Sequence, residues 1–281
     1  MKRLILIGFS LALFICASGC ALTRESVTEI NQKIENRYNS FSDAKYNMKV
    51  STYENGVLIQ QVESTALIKK PDKMRSVTKT SITKYETGGP LGSSLYVCNG
   101  NTAYSQTSPN IMNVYEYVNL PPGMTSYCSW AIDKGIENWK IPMEITDKSK
   151  YKVETSKVSY NGKNAIKAIV TVLMSEEAKQ KQLAIGNTPR ETVVTYWFDS
   201  DTLAILKEES HSFGTISEVS TAIGGQSTTQ NEREIERKTE IIYEGFYFDT
   251  DIADSEFEVN PQDYPGVEFR REVVDTQEKF K

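Results

Sequence analysis

Three Asn-Gly dipeptides, Asn55-Gly56, Asn99-Gly100 and Asn161-Gly162, each stand between strand-like stretches, and before the first of them apolar and polar residues alternate. Asn-Gly supplies the two positive-φ residues of a tight hairpin turn, and alternation is the period of a strand with one buried face. A chain punctuated this way is committed to a meander of antiparallel strands. Tyr46, Met48 and Val50 lie on the outgoing arm of the first hairpin, and Val57 to Lys69 is its return. Pro71 ends that run, and Lys73 to Lys84 reads as one or two more strands.

Gly88 to Gly92 is a loop by composition, and Ser94–Cys98, Thr102–Gln106 and Met112–Val118 continue the meander. Tyr151–Tyr160 pairs with Asn164–Met174, whose apolar residues fall on both faces and predict a central strand. Glu191–Asp199 and Leu203–Phe213 form a further hairpin, and Glu232–Phe248 is the last long strand. Gly214 to Asn231, rich in Ser, Thr, Gly and Gln, reads as a long mobile hairpin loop.

Helical spacing is confined to two places. Val27, Ile30, Ile34, Tyr38 and Phe41 form an apolar stripe over 23–41, opened by a capping box of Ser26 and Glu29. Ser129 to Trp139 carries a weaker pattern through Trp130, Ile136 and Trp139. Ser175 to Ala184 is a short excursion between strands. About ten strands and one clear helix give an α+β fold dominated by antiparallel pairing, and without a linker or repeat residues 20–281 read as one domain.

Residues 1–19 place Lys2 and Arg3 before an apolar run from Leu4 to about Ala17 that is short for a membrane span. Ala17-Ser18-Gly19-Cys20 resembles the lipobox of prokaryotic lipoproteins, departing from it at Ala17, where leucine is usual. The resemblance implies a signal peptide over 1–19 and lipidation of Cys20; the alternatives are an ordinary signal peptide with Cys20 free, or an uncleaved anchor. Two acyl chains on Cys20 would give a stable membrane anchor. No later stretch is apolar enough to span a bilayer.

Cys98 and Cys128 remain, a candidate disulfide in an exported chain or two buried thiols. With a net charge of −5, or −7 once Lys2 and Arg3 are removed, the chain lacks the clustered cations that nucleic-acid binding needs. The single histidine, His211, rules out histidine-rich metal sites, and alternation sends Ser210 and Ser212 to the face opposite it, so it reads as a solvated strand residue rather than a triad member. Asp199 with Asp201, and Asp249 with Asp251, sit at strand ends where Asp is a turn residue. Tyr243, Phe246, Tyr247 and Phe248 read as core. No nucleophile elbow, phosphate loop or zinc motif occurs, so no catalytic residue, metal or cofactor is expected.

Three stretches resemble the lipoprotein-carrier and lipoprotein-sorting superfamily: Leu67 to Arg75, a strand, proline turn and arginine-bearing strand; Tyr196 to Leu203, a strand, Asp turn and strand; and Ile252 to Val259 with Pro261 and Pro265-Gly266-Val267. The resemblance implies a strongly curved antiparallel sheet, an incomplete barrel covered by the N-terminal helix and short helices, around an apolar cavity. The lining expected from apolar strand faces is Met48, Val50, Leu67, Ile169, Tyr196 and Ile241, and the family's cargo-releasing arginine matches Arg75. It implies a non-enzymatic, lipid-anchored extracytoplasmic protein of the cell envelope that binds or transfers a lipid or lipidated protein. The alternative within the same fold is a lipid-responsive sensor or scaffold that binds a membrane protein partner.

Overall fold

The computed structural model describes residues 27–83, 92–137, 150–184, 190–221 and 228–279. The expected capping residue Ser26, the loop at 88–91 and Cys20 lie outside them. Twelve strands form one sheet: β1 (Asp43–Glu54), β2 (Val57–Lys69), β3 (Lys73–Thr83), β4 (Gly92–Asn99), β5 (Thr102–Ser108), β6 (Ile111–Val118), β7 (Tyr151–Tyr160), β8 (Lys163–Val172), β9 (Thr192–Asp199), β10 (Ile205–Thr221), β11 (Thr228–Phe248) and β12 (Glu268–Asp275). Their order is β12-β6-β5-β4-β3-β2-β1-β11-β10-β9-β8-β7.

This corrects the expected strongly curved incomplete barrel. The sheet is neither closed nor strongly curled, and it is mixed, because β12 runs parallel to β6 while the other pairs are antiparallel. Closure would require β7 and β12 to pair, and both edges carry charge: Lys152, Glu154 and Lys157 on β7, and Glu268, Arg270, Arg271 and Glu272 on β12. Charged edge strands resist further pairing. Strand β8 is flanked on both sides but sits second from an edge. The expected loop at Gly214 to Asn231 is also corrected: β10 and β11 stay paired from Gly214 opposite Ile235 to Thr221 opposite Thr228, leaving 222–227 outside the described residues.

Four α-helices occur among the described residues: α1 (Val27–Ser40), α2 (Tyr127–Glu137), α3 (Glu176–Ala184) and the single turn α4 (Thr276–Lys279). Ile30, Ile34 and Tyr38 of α1 are buried in one core with Ala44, Ile68, Ala168, Val170, Tyr196 and Phe198, so the helix lies on what we term the inner face. Lys70 ends it from the sheet side: its ammonium lies 4.1 Å from the Phe41 ring centroid and donates to the carbonyls of Tyr38 and Asn39, where a cation complements the helix dipole.

The chain leaving β11 crosses the outer face. Asp43, buried at the start of β1, accepts hydrogen bonds from Thr250 N (2.7 Å), Thr250 Oγ1 (2.9 Å) and Asp251 N (3.1 Å), while Asp249 accepts from Ser42 N (2.8 Å) and pairs with Arg37 at 3.0 Å. The Asp249 carboxylate is therefore structural, and Asp249 and Asp251 both take the positive φ of a turn, +56°, as their strand-end position suggested. Beyond them Asp254 pairs with Lys69 and Lys73, each at 2.8 Å, and Val259, Tyr264, Val267 and Phe269 pack on Leu95, Val97, Met112 and Val114.

Candidate functional site

Which side chains share a face is fixed by register, because directly opposed residues of paired strands project to the same side. Along one cross-strand row, Val62 opposes Val50, Val50 opposes Ile241, Ile241 opposes Glu208, Glu208 opposes Tyr196, Tyr196 opposes Ala168 and Ala168 opposes Thr155. Tyr196 and Ala168 belong to the core under α1, so the row is on the inner face. In the neighbouring row Met48 opposes Tyr243.

The expected lining residues therefore divide. Met48, Val50, Tyr196 and Ile241 come together on the inner face. Leu67, Arg75 and Ile169 do not join them: Leu67 opposes Arg75, which opposes Val97 on the outer face, and Ile169 opposes Thr195, one position out of phase with Tyr196. Arg75 instead donates from Nη1 to the Glu256 carbonyl at 3.0 Å, holding the C-terminal crossing in place.

Leu67 changes face for a physical reason. A two-residue Asn55-Gly56 turn with unbroken pairing from Glu54–Val57 would set Leu67 opposite Ala44, on the inner side. The register slips between Thr52 and Tyr53, so Thr52 opposes Gln60 and Leu67 opposes Lys45. One extra residue reverses the side of everything beyond it.

A second slip shapes the inner face. Between Lys45 and Asn47 the pairing with β11 is irregular, and Gly245 there has φ +60°. The bulge puts Tyr243, Phe246 and Phe248 all in the inner core, where strict alternation would not. Tyr46 stacks on Phe246 at 5.0 Å and meets Tyr243 at 5.8 Å. Tyr247, expected in the core, is instead exposed beside Lys45.

Met48, Val50, Val62 and Ile241 are only partly buried. From β2 to β7 this face is about 29 Å wide at ~4.8 Å per strand, and a 14-residue helix about 21 Å long and ~10 Å thick covers a minor part of it.

Sequence reasoning missed Glu208. It is the one carboxyl in the cross-strand row, and no hydrogen bond or ion pair holds it among the described residues. Burial alone keeps its carboxyl above the ordinary range, and its charge acts on the Tyr196 and Tyr243 hydroxyls, both pushed up chiefly by burial. The signal was present in the alternation of β10: Glu208 shares its side with Ser210, while Lys207, Glu209 and His211 take the other.

That outer side is a charge ladder. Lys207 reaches Glu209 at 2.9 Å and Glu240 at 2.6 Å, Lys238 reaches Glu209 at 3.3 Å, and His211 lies 3.2 Å from Glu209 and 3.5 Å from Glu236. His211 is thus half-buried between carboxylates rather than freely solvated. Asp199 accepts from Asp201 N (3.0 Å) and Thr202 N (2.9 Å), a turn-making role.

A groove of about 420 Å³ lies over β1 to β3, lined largely by polar and charged residues including Lys49, Glu63, Lys79 and Glu244. Such a lining does not suit an acyl chain. Cys98 of β4 and Cys128 of α2 form a disulfide with Cα atoms 5.6 Å apart, tying α2 to the inner face beside Tyr96, Tyr115 and Tyr117. Among the described residues no helix is long and apolar enough to cross a membrane, and no three His, Cys, Asp or Glu side chains gather as a metal site.

No family model and no curated protein matches this sequence. Solved structures show a distant likeness. A DUF1329 family protein from Desulfovibrio piger ATCC 29098 aligns at 12% identity and a TM-score of 0.29 over 83% of this chain and 95% of that one. A putative outer membrane lipoprotein-sorting protein domain from Vibrio parahaemolyticus gives 12% and 0.25 over 82% and 95%. A LolA superfamily protein from Nitrosomonas europaea gives 10% and 0.29 over 84% and 98%. At these values the likeness transfers neither architecture in detail nor function to this chain.

Proposed function

We propose that this chain is a lipid-anchored, extracytoplasmic envelope protein that binds an acyl-bearing ligand, a lipid or a lipidated protein, on the inner face of its sheet and performs no chemistry on it. The observation that carries the reading is the partly exposed row of Val62, Val50 and Ile241, with Met48 beside it, on a face that α1 covers in part. Contiguous apolar surface left open to water is unfavourable by about 25 cal/mol per Å², and its cover by an acyl chain recovers that free energy. The lipobox-like Ala17 to Cys20 supports the anchor.

All described elements lie within 27–279, so a chain beginning at Ala21 keeps every one of them. Produced in a lipid-containing host and examined by native mass spectrometry with lipid extraction, it should carry about one acyl lipid per chain. A clean apo mass with no uptake of fluorescent dodecyl probes, whether their head group is cationic, neutral or anionic, would contradict the reading. The anchor is tested separately by Cys20→Ser in the full chain, which should abolish the lipid-dependent shift in mobility and release the protein from membranes.

A further inference from the structure

Glu208 is unusual for its position. A carboxylate on an apolar face is disfavoured unless it is paired, and the adjacent Glu209 shows what pairing looks like in this fold, with Lys207, Lys238 and His211 around it. Glu208 has instead Ile241 on one side, Tyr196 on the other and Tyr243 in electrostatic reach. Its acceptor capacity is unspent among the described residues, and it stands in the row between the partly exposed Ile241, Val50 and Val62 on one side and the buried Tyr196 and Ala168 on the other.

The geometry points to a charge-selective site: Glu208 receives the head of a single-chain amphiphile whose head is a primary ammonium, with the alkyl chain lying along Ile241, Val50 and Met48. This deepens the reading above and rests on it. Charge complementarity carries the assignment, since an ammonium supplies both the missing counter-charge and N–H donors, whereas an alkanoate would set a second carboxylate against Glu208. A neutral alcohol lies between, able to donate one hydrogen bond without the charge. The tyrosine hydroxyls of Tyr196 and Tyr243, with Tyr46 and with Tyr38 from α1, are the other titratable groups of this cluster. Burial raises all four, Tyr46 to about 12, so none changes charge between pH 4 and 8.

The test compares dodecylamine, dodecanol and dodecanoate by calorimetric titration, below their micellar concentrations, on the chain beginning at Ala21 and on its E208Q variant. At pH 7.5 the unsubstituted chain is expected to bind dodecylamine at least tenfold more tightly than dodecanoate. E208Q should bring the two within about twofold while leaving dodecanol little changed. If E208Q does not fold, the unsubstituted chain alone suffices: its preference for dodecylamine over dodecanol should fall as pH drops from 8 to 4 and Glu208 takes up its proton. Binding of the three without an ammonium preference, or a preference that survives both E208Q and acid, overturns the assignment of Glu208 while leaving the acyl-binding reading intact. Failure of all three to bind overturns both.

Discussion

Glu208 and Glu209 are neighbours in the chain that face opposite sides of the sheet, and the two sides treat them differently. Glu209 faces the outer ladder, where burial pushes its carboxyl up but Lys207, Lys238 and His211 outweigh this and bring it down to about 2. Glu208 faces the inner row, where burial meets no opposing interaction and its carboxyl is raised. Alternation in a single strand thus separates a charge-paired surface from an apolar one whose carboxylate has no hydrogen-bond or ion-pair partner among the described residues.

The two carboxylates are expected to move stability in opposite directions. For Glu208 the folded state holds its proton more tightly than the unfolded chain, so its penalty is absent in acid and develops as pH rises above the ordinary carboxylate range. E208Q should therefore raise the melting temperature by a few degrees at pH 8 and leave it little changed at pH 4. Thermal melts at the two pH values check this, and a gain of equal size at both would contradict it.

For Glu209 the folded-state value is depressed, so its stabilisation is present above about pH 4.5 and is lost as pH falls toward about 2. E209Q should cost about 1–2 kcal/mol at pH 7, a figure reduced from the full shift because the group is partly exposed and screened. Urea unfolding at pH 7 and at pH 2.5 should show the cost shrinking at the lower value.

The Cys98–Cys128 bond closes 30 residues that include β5, β6 and the start of α2. Replacing both with serine should lower stability by about 2–4 kcal/mol, and reductant should lower the melting temperature of the unsubstituted chain but not of the variant. An unchanged midpoint would place little of the chain's stability in this link.

Gly245 holds φ +60°, and a Cβ added there would lie 3.2 Å from the Tyr247 ring. Gly245→Ala should cost about 1–2 kcal/mol, measured by denaturant midpoint. Because the bulge places Phe246 and Phe248 inward, near-ultraviolet circular dichroism should change with it.

The hairpins were legible because each has its own local signal. Asn55 and Gly56, and Asn161 and Gly162, take the positive φ values that an Asn-Gly turn requires, and the apolar stripe of Ile30, Ile34 and Tyr38 became a buried helix face. Strand β12 was not legible: its sequence from Glu268 to Asp275 is charged on both faces, as an edge strand tolerates, and it pairs with a strand more than 150 residues away. Which of the expected residues share a face was half legible. Alternation fixes sides within a strand, but which side of one strand matches which side of the next depends on register, and the slip beside Thr52 sent Leu67 and Arg75 outward. Glu208 was hidden by the same limitation, since only the register with Ile241 and Tyr196 identifies its surroundings.

The most direct test is to map where an acyl chain rests. A dodecyl probe carrying a photoreactive diazirine, irradiated with the chain beginning at Ala21 and followed by peptide mass spectrometry, should label residues of the inner row, with Val62, Val50 and Ile241 foremost. Excess dodecanol should compete the labelling away. Adducts concentrated instead at Leu67, Ile169 or the polar groove around Lys49 and Lys79, or labelling that dodecanol does not displace, would contradict an acyl site on the inner face.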